Sequence, residues 1–201
     1  MRTLGIVLAG GVGARLGAGV PKALATLAGE PLLARAIATI APVCDDWVVA
    51  APATLALPVP ATHRVHDVLE GAGPLAGLVA ALAARPCARA VVLGVDLPLV
   101  TSALLAAMGE HLGGSRALVP EPRGRMQPLA AWFAGSAHAP LAAALDAGER
   151  ALVPAVSRLA PVRLDDAVLA GLPGGIEAFL NVNTPDDRAE AERRLARTGV
   201  A

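Results

Sequence analysis

Residues 4–24 read LGIVLAGGVGARLGAGVPKAL. The run 3–8 has the continuous apolar character of a strand buried on both faces. It empties into a loop carrying Gly10, Gly11, Gly13, Gly17 and Gly19. Glycines let a backbone approach a phosphate closely, and a strand ending in such a loop is a common α/β device for holding nucleotides. Two cations, Arg15 and Lys22, stand where a triphosphate needs neutralising. The loop is not a P-loop, because Lys22 is followed by Ala23. Nor is it G-x-G-x-x-G from Gly11, because position 16 is Leu. A flexible strand-to-helix turn is the plainer alternative, and the placement of Arg15 and Lys22 weighs against it.

Outward from this stretch, strand-like and helix-like segments alternate. Residues 31–41 have helical spacing, with Leu33, Ile37 and Ile40 on one face. Strands are expected at 47–50, 64–66, 90–95, 117–119, 129–133, 162–164 and 179–182. Helices are expected at 75–84, from an N-cap at Ser102 to about 112, at 140–147 and at 151–159. A last helix spans 185–197, capped by Thr184, with Pro185 in its first position and acids in its first turn. Such alternation predicts an α/β fold: a mostly parallel sheet with helices on both faces. Residues 1–201 read as one domain, with no linker or internal repeat. In such sheets ligands gather at the carboxyl ends of the strands.

Composition narrows the class. The chain has 201 residues, 55% of them hydrophobic, enough for a sizeable core. The formal net charge of zero argues against a broad nucleic-acid surface, leaving room for a local cationic pocket. Gly, Pro or charge interrupts every apolar run before membrane-spanning length, and the N-terminus has no good signal-peptide pattern, so no membrane association is expected. Cys44 and Cys87 lack metal spacing and read as ordinary thiols of a reducing cytoplasm.

A few polar residues fall where chemistry is expected. Asp96 follows VVLGV and precedes Leu97-Pro98, so it stands at the end of a buried strand, where a carboxylate suits Mg²⁺; a turn-forming Asp is the alternative. Asp67 ends another short strand before GAGPLAG and can serve ribose, base or metal, or only the loop. The Gly73–Gly77 stretch puts small residues where a helix begins near a ligand, though packing explains them almost as well. Asn181 and Asn183 sit in NVNTP, where each amide can both donate and accept, or can only shape the turn before Thr184. Arg123, Arg125 and Gln127 suit either an anionic substrate or a solvated loop. His63, His66, His111 and His138 share no metal or triad pattern.

Taken in order, LAGGVGARLG with Lys22, Asp67 with GPLAG, VDLPLV around Asp96, Gln127-Pro128-Leu129 and FLNVNTPDD resemble the molybdenum cofactor guanylyltransferase family, the MobA proteins, over most of the chain. The resemblance implies a Rossmann-like three-layer α/β/α nucleotidyltransferase fold and transfer of GMP from MgGTP to the terminal phosphate of molybdenum-bearing molybdopterin, releasing pyrophosphate. By motif, the backbone of Leu8, Ala9, Gly10 and Gly11 faces the nucleotide, Arg15 and Lys22 hold phosphates, Asp67 lies by the nucleotide and Asp96 binds Mg²⁺. Gly77, Gln127, Asn181 and Asn183 are the implied substrate contacts. The implied partners are the two small-molecule substrates, with transient contacts to cofactor-delivery or molybdoenzyme-maturation proteins. VPKAL also resembles the loop of cytidylyltransferases that act on methylerythritol phosphate, so a CTP-dependent transferase acting on a sugar or polyol phosphate stands as the alternative. A nucleotide-binding regulator without catalysis is a third reading.

Overall fold

Every second residue of the first strand, Thr3–Leu8 (β1), faces the same side. Leu4, Ile6 and Leu8 enter one apolar cluster, while Val7 and, just beyond the strand, Ala9 enter another. A strand apolar on both sides has to be sandwiched. The computed structural model, which describes residues 2–10, 21–66 and 73–198, shows that sandwich.

Among the described residues the strands are β1, Thr26–Leu27 (β2), Glu30–Pro31 (β3), Asp46–Ala51 (β4), Arg64–His66 (β5), Arg89–Gly94 (β6), Ala117–Pro120 (β7), Ala130–Ala134 (β8) and Val162–Leu164 (β9). The helices are Leu32–Ile40 (α1), Gly73–Ala84 (α2), Ser102–Gly109 (α3), His138–Asp146 (α4), Leu152–Ser157 (α5), Asp166–Ala170 (α6) and Pro185–Thr198 (α7). Seven strands form the main sheet in the order β5-β4-β1-β6-β8-β7-β9, and β2 pairs β3 in a small hairpin. All main-sheet pairings are parallel except those of β8, which runs antiparallel to both β6 and β7. Helices α1, α3, α6 and α7 contribute to the core on one face of the sheet, and α2, α4 and α5 to the core on the other. The fold is the expected three-layer α/β/α arrangement.

Two local expectations change. The first is the 179–182 strand. Ile176–Phe179 is a short 3₁₀ turn, and Val182 N–H donates to the Asp96 carbonyl at 2.8 Å. The segment crosses beyond the end of β6 instead of running beside a strand, and this crossing brings it to the site. The second is the α3 cap, which is Thr101 rather than Ser102. Thr101 Oγ1 accepts from Leu104 N–H, while Ser102 Oγ donates to the Thr39 carbonyl and ties α3 to α1. The cap of α7 is Thr184 as expected, its Oγ1 accepting from Asp187 N–H at 3.2 Å.

Candidate active site

The parallel strands β1, β4 and β6 deliver their carboxyl ends to one edge of the sheet. Leu8 and Ala9 are buried there, with Ala9 N–H donating to the Ala50 carbonyl at 3.0 Å and the Leu8 carbonyl accepting from Val95 N–H at 3.2 Å. Gly10 is exposed at the mouth of this edge. Gly11, Arg15 and Asp67 lie outside the described residues.

Lys22 opens a 3₁₀ turn, Lys22–Leu24, whose Ala23 is buried and whose Leu24 N–H returns to the Pro21 carbonyl at 2.9 Å. Burying Ala23 leaves the Lys22 side chain to reach along the edge. Its Nζ donates to Asn183 Oδ1 at 2.6 Å and lies 3.6 Å from Asp96 Oδ2. Asp96 sits in the turn after β6, closed by Leu97 N–H on the Gly94 carbonyl at 3.2 Å. Asn181 Nδ2 donates to Asp96 Oδ2 at 2.9 Å, and Gln127 Nε2 donates to Asn181 Oδ1 at 2.6 Å. The Lys22 and Asp96 side chains are only 13% and 16% exposed, so their attraction is screened less than that of a surface pair.

Five residues predicted from sequence, Lys22, Asp96, Gln127, Asn181 and Asn183, therefore meet in one group, two hydrogen-bonded sets joined by the Lys22–Asp96 ion pair. Separations of 161 residues between Lys22 and Asn183, and 85 between Asp96 and Asn181, make this a product of the fold and not of any local motif. Gly77 is buried in α2 and is not a member of this group. The basic stretch is divided. Arg123 is ion-paired with Glu177, and its backbone N–H donates to Asp166 Oδ1 at 2.7 Å, whereas Arg125 is exposed.

Sequence reasoning missed two residues that shape the group. A methyl at Gly94 would fall 2.5 Å from Asp96 Oδ1 and 3.1 Å from Leu129 Cβ, so the carboxylate rests where any other residue would place its Cβ. The only signal was a Gly inside an otherwise continuous strand, which marks close approach of another group. Asp187 is the second. Its Oδ2 accepts from Asn183 N–H at 3.0 Å and Thr184 N–H at 2.9 Å. The Asn183 N–H above all, then the Thr184 hydroxyl and N–H, and the nearby Lys22 charge hold this carboxyl below the usual range against a desolvation cost.

No three His, Cys, Asp or Glu side chains gather into a metal cage among the described residues. That donor set still fits Mg²⁺, which is held through one or two carboxylates and completes its shell with water and substrate phosphates. Asp96 is the one carboxylate of the five grouped residues, with Oδ2 accepting from Asn181 Nδ2 at 2.9 Å. A separate groove of about 800 Å³ lies between α1, the start of α3 and the far end of α7, lined by Thr39, Leu99, Val100 and Leu195 among others; none of the five grouped residues borders it.

Residues 5–162 match the family described as the MobA-like NTP transferase domain. The chain is 34% identical over 206 residues to a probable molybdenum cofactor guanylyltransferase of Chloroflexus aggregans, covering 100% of this chain and 98% of that protein. It is 36% identical to a molybdenum cofactor guanylyltransferase of Cereibacter sphaeroides, covering 97% of this chain and 98% of that one. Among solved structures, molybdopterin-guanine dinucleotide biosynthesis protein A from Archaeoglobus fulgidus superposes with a TM-score of 0.78 at 27% identity, over 96% of this chain and 99% of that one. Fold and family together define a nucleotidyltransferase of the Rossmann-like class. The chain belongs to the MobA-like NTP transferase family.

Proposed function

We propose that the protein transfers GMP from MgGTP to the terminal phosphate of molybdopterin, forming the guanine dinucleotide cofactor and pyrophosphate. The observation that carries this reading is the group at the strand ends: one ammonium, one carboxylate and three amides, all but Asn183 partly shielded from water. It contains no Ser or Cys beside a general base, and nucleotidyl transfer needs no enzyme nucleophile. An oxygen of the acceptor phosphate attacks the α-phosphorus of GTP, the bond from that phosphorus to the β-phosphate bridge oxygen breaks, and pyrophosphate leaves with the electron pair. The protein's work is alignment and charge neutralisation.

Each residue then has a part. The Lys22 ammonium, aimed along the edge by its turn, neutralises the triphosphate, joined by Arg15. Asp96 holds Mg²⁺, and Asn181 steadies its Oδ2. When bound, Mg²⁺ offsets the charge that builds on the leaving pyrophosphate. Gln127 satisfies Asn181 Oδ1, which turns the Asn181 NH₂ toward Asp96. The exposed Asn183 and the half-buried Asn181 offer amides to the acceptor. Leu8, Ala9, Gly10 and Gly11 give the nucleotide its backbone contacts together with Asp67, and Gly77 joins Gln127 on the substrate side. Two small-molecule substrates, a cytoplasmic setting and transient contacts with cofactor-handling proteins complete the reading. No described helix is long and apolar enough to cross a membrane.

The rival reading, a CTP-dependent transferase, rests on the Pro21-Lys22 sequence. Calorimetric titration of the protein with GTP, CTP, ATP and UTP in Mg²⁺ separates the two. GTP binding at least about tenfold tighter than the others supports the guanylyl reading, and a CTP preference overturns it.

A further inference from the structure

Asp187 holds the backbone of Asn183, whose side chain accepts from Lys22. In a capping box the residue three beyond the N-cap returns one bond to the N-cap N–H. Asp187 makes that bond to Thr184 at 2.9 Å, and Thr184 Oγ1 answers by accepting from Asp187 N–H at 3.2 Å. The same oxygen takes a second N–H, from Asn183 at 3.0 Å, one residue outside the box. Helix capping does not require this bond. It anchors the backbone of an otherwise exposed Asn whose Oδ1 accepts from Lys22 Nζ at 2.6 Å, nearer than Asp96 Oδ2 at 3.6 Å. Lys22 has four rotatable bonds and a carboxylate beside it. With the ammonium bonded to Asn183 at 2.6 Å, the ion pair with Asp96 stays at 3.6 Å, too long for a hydrogen bond.

We propose that Asp187 is a positioning residue for nucleotidyl transfer: by anchoring Asn183 it keeps the Lys22–Asp96 ion pair at 3.6 Å, short of a hydrogen bond, and so limits the competition of the ammonium with a divalent cation at that carboxylate. This rests on the reading of Lys22 as the phosphate cation and Asp96 as the metal carboxylate. Without the anchor, Lys22 falls back onto Asp96 and competes with the metal. Loss of supporting partners of this kind costs about 10–100-fold in metal affinity or activity.

The test measures Mg²⁺ binding to the nucleotide-free protein by calorimetry, and beside it pyrophosphate release from GTP with molybdopterin as acceptor across a Mg²⁺ titration, at a temperature where circular dichroism shows each variant folded. Asp187→Ala is expected to raise the half-saturating Mg²⁺ concentration about tenfold. Asp187→Glu, which keeps a carboxylate in the box, restores most of the wild-type Mg²⁺ response. Asn183→Ala gives the same shift as Asp187→Ala, and the double variant adds nothing further, because both act through one side chain. A role confined to helix stability would lower the melting temperature without moving the Mg²⁺ curve. If Asp187→Ala does not fold, Asp187→Asn gives a smaller shift in the same direction. A wild-type Mg²⁺ response in the folded Asp187 variant, or a double variant whose loss is the product of the single losses, overturns the proposal. Lys22→Ala and Asp96→Asn in the same assay keep the two readings apart. Wild-type turnover in either removes the site assignment together with this proposal, whereas their failure beside an unaffected Asp187→Ala removes this proposal alone.

Discussion

Replacing Asp96 by Asn keeps the shape of the side chain and removes its charge. Lys22 then loses its counter-charge, and on the proposed reading Mg²⁺ loses its carboxylate, while Asn183 still receives the ammonium. Asp96→Asn is expected to lower kcat by about 100-fold or more with little change in fold, read by pyrophosphate release beside circular dichroism. Gly94→Ala reaches the same carboxylate from beneath. Its methyl cannot share space with Asp96 Oδ1 at 2.5 Å, so the side chain must move or the strand must shift. A loss of about 1–3 kcal/mol in denaturant stability is expected with a fall in turnover, and a variant as active and stable as wild type would show that the carboxylate is free to relocate. Asp187 gives a pH dependence. Its folded pKa is depressed, chiefly by the Asn183 N–H, so its contribution to stability is fully present above the ordinary Asp value of about 4 and is lost as pH falls through the depressed folded value. The melting-temperature gap between wild type and Asp187→Asn is therefore expected near pH 6 and should close progressively on acidification below about pH 4. A gap independent of pH would mean that the carboxylate charge is not what holds the turn.

At the scale of elements, the sequence was most readable where periodicity was strong. Strand β1 begins and ends where its apolar run does, and α1 buries Leu33 and Ile40 as the spacing requires. The order of motifs put Lys22, Asp96 and Asn181 at element ends, but their contacts span the chain, and no local pattern encodes which amide faces which carboxylate. The 179–182 segment misled because AFLNV reads as a strand while the fold uses it as a crossing, pinned by Val182 N–H on the Asp96 carbonyl. The antiparallel direction of β8 was equally hidden, since an apolar run carries no sense of direction. Tight packing between elements was also illegible. A methyl at Gly109, the last residue of α3, would lie 2.9 Å from Trp132 Cε2, and the indole is pinned by Nε1–H on the Leu105 carbonyl at 2.8 Å. Gly109→Ala is expected to cost about 1–3 kcal/mol in urea unfolding with the site intact. An unchanged midpoint would mean that α3 slides freely on β8. Cys44 lies between α1 and β4, where burial pushes its thiol up to about 11 although hydrogen bonding to the Gly5 backbone opposes the shift. At pH 8 iodoacetamide should therefore alkylate Cys44 in the native protein far more slowly than in the urea-unfolded chain.

Across the whole molecule, the sheet order explains why one edge gathers the chemistry. β1, β4 and β6 run parallel and release their chains at the same end, and the crossing segment before α7 brings Asn181 and Asn183 back over it. The family match ends at residue 162, so these two amides come from beyond it, from a stretch that the full-length relatives share. On the proposed reading, the nucleotide end of the reaction draws on the matched core, and the acceptor end draws on the C-terminal crossing. On that reading these two ends join GMP to molybdopterin. Its most direct test incubates the protein with Mg²⁺, GTP labelled at the α-phosphorus and molybdopterin, and identifies the product by mass spectrometry. Label is expected in a molybdopterin guanine dinucleotide, with one pyrophosphate released per dinucleotide formed. Label left in GTP, alongside transfer from CTP to a sugar or polyol phosphate under the same conditions, would contradict it.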